Sequence, residues 1–216
     1  MNSKQLFSYI LPVTKTVKSK YSGTLEITWH NGKKHLNSKN ANYSYGSLQK
    51  ILKFGIEQIS LQKVNKALVL GMGGGSVIQT LRDDFGYSKA ITAVEIDPVI
   101  IELAQTEFGI SEDEQLKIHC TDALKFVSES TSTFDLIIID LFIDLSVPDQ
   151  FLSESFWKDI LRLKSANGAV IFNAAVKEAK QKTIQQLISY LKTKVYLVDV
   201  HESVNNTNTL LILKSL

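Results

Sequence analysis

Cysteine occurs once, at Cys120, so the chain cannot close a disulfide on itself and is not a disulfide-stapled scaffold. Three prolines and eleven glycines in 216 residues exclude collagen-like and Pro/Gly low-complexity chains. No repeat recurs at solenoid spacing, and no apolar run approaches the roughly 18–20 residues of a membrane-spanning helix. Leu6–Val13 has some leader character, but Ser8, Tyr9 and Pro12 interrupt it and no small-residue cleavage pattern follows. Charge of one sign is lacking too. Lysine and arginine number 24 against 22 acids, a net +2, without the basic cluster that a nucleic-acid surface needs. These absences predict a cytoplasmic protein with neither a membrane nor a nucleic acid as partner.

What is present is concentrated in residues 66–97, KALVLGMGGGSVIQTLRDDFGYSKAITAVEID. A short apolar run, Ala67–Leu70, leads into Gly71-Met72-Gly73-Gly74-Gly75 and a helix-like stretch. A second run, Ala90–Val94, then delivers Glu95 about twenty residues after the last glycine. This β-turn-α-β order suits the adenosyl half of a nucleotide-like cofactor. Glycines let the backbone approach the ligand, and an acid ending the second strand can accept from both ribose hydroxyls.

The length suits one core with a small appendage. Residues 1–45 read as an N-terminal β-hairpin region. Ile10–Val17 and Leu25–Trp29 are β-rich, Asn31-Gly32 is the signal of a tight turn, and Lys34–Leu36 return. An isolated hairpin is marginal in water, so it should pack on the core or on a second copy, where it offers a homodimer contact. Residues 46–216 read as a Rossmann-like domain, entered by an amphipathic helix within Tyr45–Ile59. Strands at about 66–71, 90–96, 116–120, 134–139 and 169–174 alternate with helices at about 75–84, after Asp97, after Asp122, and at about 151–163 and 177–192. Val195–Val200 and Thr209–Leu213 follow one another without a helix and should pair antiparallel at one edge. The expected fold is α/β: a doubly wound, mostly parallel seven-stranded sheet.

Ligands of such a sheet sit outside the carboxyl ends of its strands. The glycine loop, Glu95, Asp122 and Asp140 all fall there. Asp122-Ala123 suits an adenine, the acid accepting from the exocyclic amine and the small neighbour admitting the ring; Asp122 equally suits a helix N-cap. Ile96 can lie on the adenine face or in the core, and Asp97 before Pro98 is placed to cap. Asp140 ends the fourth strand, expected to be buried on both faces, and faces the crevice, where it can take a proton from an attacking amine or hydroxyl or hold that nucleophile in line. The long apolar loop 141–151 can cover the reacting centre, with Phe142 or Asp144 toward the substrate. His119-Cys120 is no metal pair, because strand neighbours point to opposite faces, and no metal site is expected. His30, His35 and His201 read as surface residues, and Trp29 and Trp157 as packing.

With these elements the sequence resembles the spermidine synthase (polyamine aminopropyltransferase) family, within the class I S-adenosylmethionine-dependent methyltransferase superfamily. The shared segments are ALVLGMGGGSV, AVEIDPVIIELA, TDALKFV and FDLIIID; Val69, in place of an acid, favours the aminopropyltransferase branch. The resemblance implies a class I methyltransferase-like Rossmann fold binding S-adenosylmethionine or its decarboxylated form. It implies that Gly71, Met72, Gly73, Gly75, Glu95, Ile96, Asp122 and Ala123 hold the adenosyl group, that Asp140 is the catalytic aspartate, and that the acceptor is a small molecule such as an amine. The chain departs from the family at Gly74, where an acid is usual, and at Tyr21-Ser22, Tyr45-Gly46-Ser47 and Leu141–Leu145. Polyamines need carboxylates along their length, so these departures weaken the case for a polyamine acceptor; the lack of an acid at Gly74 leans toward the methyl donor, and Tyr45 is kept as a substrate contact. Two alternatives stay open. One is a non-catalytic adenosyl-nucleotide-binding module; the other is a nicotinamide-dependent oxidoreductase, which the terminal strand pair disfavours.

Overall fold

The computed structural model describes residues 3–38, 42–44, 46–143, 146–174, 180–194, 196–206 and 208–215. The N-terminal region begins with a short helix, α1 (Ser3–Phe7), followed by strands β1 (Val13–Ser19), β2 (Gly23–His30), β3 (Lys33–Ser38) and β4 (Asn42–Ser44) in one antiparallel sheet. The β2–β3 turn is the Asn31-Gly32 pair. Both residues take positive φ, 50° and 73°, which the twist of a two-residue hairpin demands. The segment following α1 is docked there, Ser8 Oγ accepting from Gly32 N at 3.0 Å.

The core continues with α2 (Ser47–Glu57), β5 (Lys66–Leu70), α3 (Ser76–Gln79), β6 (Ala90–Glu95), α4 (Pro98–Phe108), β7 (Leu116–Cys120), α5 (Ala123–Glu129), β8 (Phe134–Ile139), α6 (Glu154–Leu163), β9 (Lys164–Asn173), α7 (Gln181–Lys192), β10 (Tyr196–Val204) and β11 (Asn208–Ser215). The second sheet has the order β10-β11-β9-β8-β5-β6-β7, with β5 to β9 parallel and the last two strands antiparallel. The terminal pair lies at one edge as the sequence predicts, and the last strand inserts between β10 and β9. A chain that returns without a crossover helix can only run antiparallel.

Both faces of this sheet are buried, and β8 shows how. Ile137 and Ile139 join Trp157, Phe156, Phe172 and Leu187 on the side of α6 and α7. Leu136 and Ile138 join Ile51, Ile56, Ile78 and Leu81 on the side of α2 and α3. Trp157 is a packing residue, its Nε1 donating to the Phe151 carbonyl at 3.1 Å. Some element boundaries differ from those read in the sequence. The helix expected over 75–84 becomes π-helical from Thr80 to Asp84. The helix expected from 151 begins as a 3₁₀ turn, Asp149–Leu152. Strand β9 starts earlier, at Lys164, through a register shift opposite Phe134 that absorbs Gly168. Of the helix expected over 177–192, residues 175–179 lie outside the described residues. His201 is half-buried, its ring meeting Phe54 edge-on at 5.2 Å. Among the described residues no helix is long and apolar enough to cross a membrane.

The N-terminal sheet packs on α4 of the same chain. Leu25, Ile27 and Leu36 close over Ile100 and Leu103, and Lys34 bridges to Glu107 at 3.0 Å while lying 4.8 Å from the Trp29 ring centre. A second tie is centred on the fully buried Asp97. Asp97 caps α4 by accepting from Val99 N at 2.9 Å, and its other oxygen accepts from the hydroxyls of Ser19 and Ser22 in the β1–β2 turn. Replacing it removes a cap and strands two hydroxyls. Asp97→Ala is therefore expected to cost roughly 2 kcal/mol, a fall in Tm of about 4–8 °C. Amide exchange at residues 19–23 should accelerate while that of β5 and β8 does not. Unchanged exchange in the turn would show that the clasp does not hold it.

Candidate functional site

Strands β5 and β8 are neighbours, yet the helices that follow them depart to opposite faces, so a crevice opens above their carboxyl ends. Asp140 N donates to the Leu70 carbonyl at 2.9 Å and keeps the two strand ends together. Gly71 follows with φ 83°, and a Cβ there would collide with the Asp140 carbonyl oxygen. Only glycine permits that approach. Gly75, with φ 85°, packs against Ile110, and Met72 is 2% exposed with its side chain in the core. Neither lines the cavity, whereas Gly71 and Gly73 do.

The cavity holds about 220 Å³. Glu95 forms part of its wall and is 8% exposed. Its carboxylate accepts from Gly73 N at 2.9 Å, Ile96 N at 2.9 Å and Asp97 N at 3.1 Å. Burial pushes this carboxyl above the ordinary glutamate range, and the three amides oppose that rise. Ile96, 41% exposed, and Ala123 also line the space. Asp122 is there too, and it does cap α5, with Oδ1 accepting from Leu124 N at 2.8 Å and Lys125 N at 3.2 Å.

Asp140 borders the same cavity, half-buried at the end of β8. Burial raises its carboxyl to about 7, the amide of Asn173 works against that rise, and the nearby Glu95 charge adds to it. Asn173 Nδ2 donates to Asp140 Oδ1 at 2.9 Å, and Asn173 Oδ1 accepts from Asn208 Nδ2 at 2.8 Å. Sequence reasoning missed Asn173. The available signal was a lone amide closing the apolar run Ala169–Phe172. Tyr21 and Ser22 of the β1–β2 turn were noted only as departures from a motif, and they line the cavity.

Leu141, Phe142 and Ile143 form the side beyond Asp140, with Pro148, Gln150 and Phe151. Their loop is tied down by Lys180, whose Nζ donates to Asp149 at 2.6 Å and to the Val147 carbonyl. Phe142 lines the cavity, whereas Tyr45 and Asp144 fall outside the described residues. The described lining offers an acid at the end of β6 and one just after β8, a third capping α5, glycine backbone on one flank and an apolar wall on the other. Such a space fits an adenosyl group, because nothing but backbone stands at Gly71 and Gly73.

The profile of the spermine/spermidine synthase domain matches residues 50–210. The eEF1A lysine and N-terminal methyltransferase of Mus musculus is 29% identical over 154 residues, covering 67% of this chain and 22% of that protein. The polyamine aminopropyltransferase of Sulfolobus acidocaldarius is 31% identical over 144 residues, covering 62% of this chain and 47% of that protein. The chain thus spans less than half the length of either relative. Human methyltransferase-like protein 13, solved with SAH, superposes with a TM-score of 0.68 at 25% identity, covering 80% of this chain and 83% of that one.

The raised carboxyl of Asp140 has a sign that can be checked. An aspartate ordinarily titrates near 3.8, and this one near 7 in the folded chain. Between those values the folded state holds the extra proton, so stability falls as pH rises through the window. Asp140→Asn should then raise Tm at pH 8, by about 2–4 °C for each kcal/mol recovered, with the gain vanishing toward pH 4. A Tm at pH 8 no higher than that of the parent would show that the buried charge is not disfavoured.

Proposed function

The chain belongs to the spermine/spermidine synthase domain family, and from that premise we propose that it transfers a methyl group from S-adenosylmethionine to the nitrogen of an acceptor amine. The observation that carries this reading is the Asp140 carboxyl, raised to about 7 by burial, bordering the same cavity as Gly71, Gly73 and Glu95. In that cavity Glu95 accepts from the ribose hydroxyls, Ile96 and Ala123 flank the adenine, and Asp122 accepts from its exocyclic amine with the oxygen not used in the cap. Bound S-adenosylmethionine supplies a methyl carbon activated by positive sulfur, whose C–S electron pair stays with sulfur on transfer.

The chain's own residues then have two tasks. An acceptor amine, with a lysine-like pKa of about 10, arrives protonated and must lose that proton before its lone pair can attack. Asp140 takes it, and a carboxyl near 7 is a far better base than an exposed aspartate. Leu141, Phe142, Ile143 and Phe151 keep water from the reacting nitrogen and hold it in line. The choice of donor follows from Gly74, which carries no carboxylate for the bare aminopropyl ammonium of the decarboxylated form. The amine as acceptor class is supported by the named relatives, since lysine, N-termini and polyamines are all amines.

Calorimetric titration separates the readings. S-Adenosylmethionine should bind at least tenfold more tightly than its decarboxylated form, with methylthioadenosine weaker and NAD silent. The reverse order between the two sulfonium donors would assign aminopropyl transfer, and tight NAD binding would overturn the transferase reading. Asp140→Asn should leave donor affinity nearly unchanged and lower methyl transfer to amines by about 10²–10⁴-fold. Donor binding without turnover on any amine would instead mark a non-catalytic adenosyl module.

A further inference from the structure

Asn173 is fully buried at the last position of β9, after the apolar run Ala169–Phe172. An amide there costs stability unless both its ends are paired. Its two partners come from elements far apart in sequence: Asp140 at the end of β8 and Asn208 at the start of β11. Because β11 runs antiparallel beside β9, with Leu210 opposite Asn173, its first residue arrives at the carboxyl end of the sheet, where a parallel strand would present its last. The backbone holds this arrangement, Ala174 N donating to the Thr209 carbonyl at 2.9 Å.

We propose that Asn173 and Asn208 are positioning residues, a two-amide relay that aims the Asp140 carboxylate into the cavity; this rests on the reading of Asp140 as the acceptor of the amine proton. The direction of each link is set by the one before it. An ionised carboxylate only accepts, so Asn173 must offer its NH₂ to Asp140. Its carbonyl oxygen then faces away, and Asn208 must offer an NH₂ in turn. The Asn208 amide thereby blocks the flip of the Asn173 amide that would set oxygen against oxygen at Asp140. The other groups around Asp140 do not replace this donor. Strand β6 contributes the Glu95 carboxylate, β5 contributes the glycine backbone at Gly71, and the following loop contributes the apolar Leu141 and Phe142. Asn173 is the side-chain donor to the carboxylate among the described residues, and the Glu95 charge works against ionisation.

The test is a pH titration of the Asp140 carboxyl by ¹³C NMR in the full chain, its resonance identified by its loss in Asp140→Asn. Asn173→Leu is near-isosteric and keeps charge constant. It removes a hydrogen bond to the charged form, so the Asp140 midpoint should rise by about one unit from its starting value. Asn208→Leu acts at the half-buried start of β11 and leaves Asn173 in place but free to turn. It should move the midpoint the same way by a smaller amount, with Tm within a few degrees of the parent. The acid limb of the methyl-transfer rate should follow both shifts. If Asn173→Leu does not fold, Asn208→Leu decides alone. A folded Asn208→Leu with the Asp140 midpoint unmoved overturns the relay, and a loss of Tm without a shift assigns the amides to packing only. The titration needs no acceptor, so failure to bind S-adenosylmethionine would overturn the proposed function and leave this result standing.

Discussion

The parallel pairing of β5 with β8 is the constraint on which the site depends. Both strands are buried on both faces, so they must run straight through the core and stop together. The Asp140 amide on the Leu70 carbonyl fixes that common end. Gly71 must then turn within contact of the Asp140 carbonyl, a turn that a side chain would obstruct. Since the following helices leave to opposite faces, the space above is left open. Cavity, glycine loop and aspartate are therefore three aspects of one strand pair.

Three acids stand close together here, and the structure satisfies them unequally. Asp97 accepts from a backbone amide and two hydroxyls, and in doing so joins the N-terminal turn to α4. Glu95 accepts from three backbone amides, one of them from the glycine loop. Asp140 has one side-chain donor among the described residues, Asn173, and a negative neighbour, Glu95. Hydrogen bonds to the charged form are what offset desolvation. Burial raises Glu95 even against its three amides, and it carries Asp140, with its one amide donor, up to about 7, the range in which a base is useful at neutral pH. Asp97 has a further consequence, because the turn it clasps brings Tyr21 and Ser22 to the mouth of the cavity.

Much of this was legible in the chain. The alternation of apolar runs with helical stretches, the Asn31-Gly32 turn and the terminal strand pair all follow from local periodicity and turn chemistry, which act within a few residues. The glycine loop and the acids at strand ends were legible for the same reason, since a ligand site at a sheet's carboxyl edge is tied to strand termini. Boundaries were less legible where tertiary packing overrides propensity. The π-helical turn at Thr80–Asp84 and the early start of β9 at Lys164 are of this kind. Asn173 went unnoticed because an amide closing a strand means nothing until its neighbours are known.

Sequence alone determined the strand-and-helix order, the need for glycine after β5 and the placing of Glu95, Asp122 and Asp140 at strand ends, because each depends on residues adjacent along the chain. Tertiary structure alone decided that the Ser19–Ser22 turn closes on Asp97 and that Asn208 reaches Asn173 beside Asp140. Those contacts span 75 or more residues in one case and 35 and 33 in the other. Nothing local encodes them; they exist because a buried polar group must find its partner wherever the packed sheet brings one within reach.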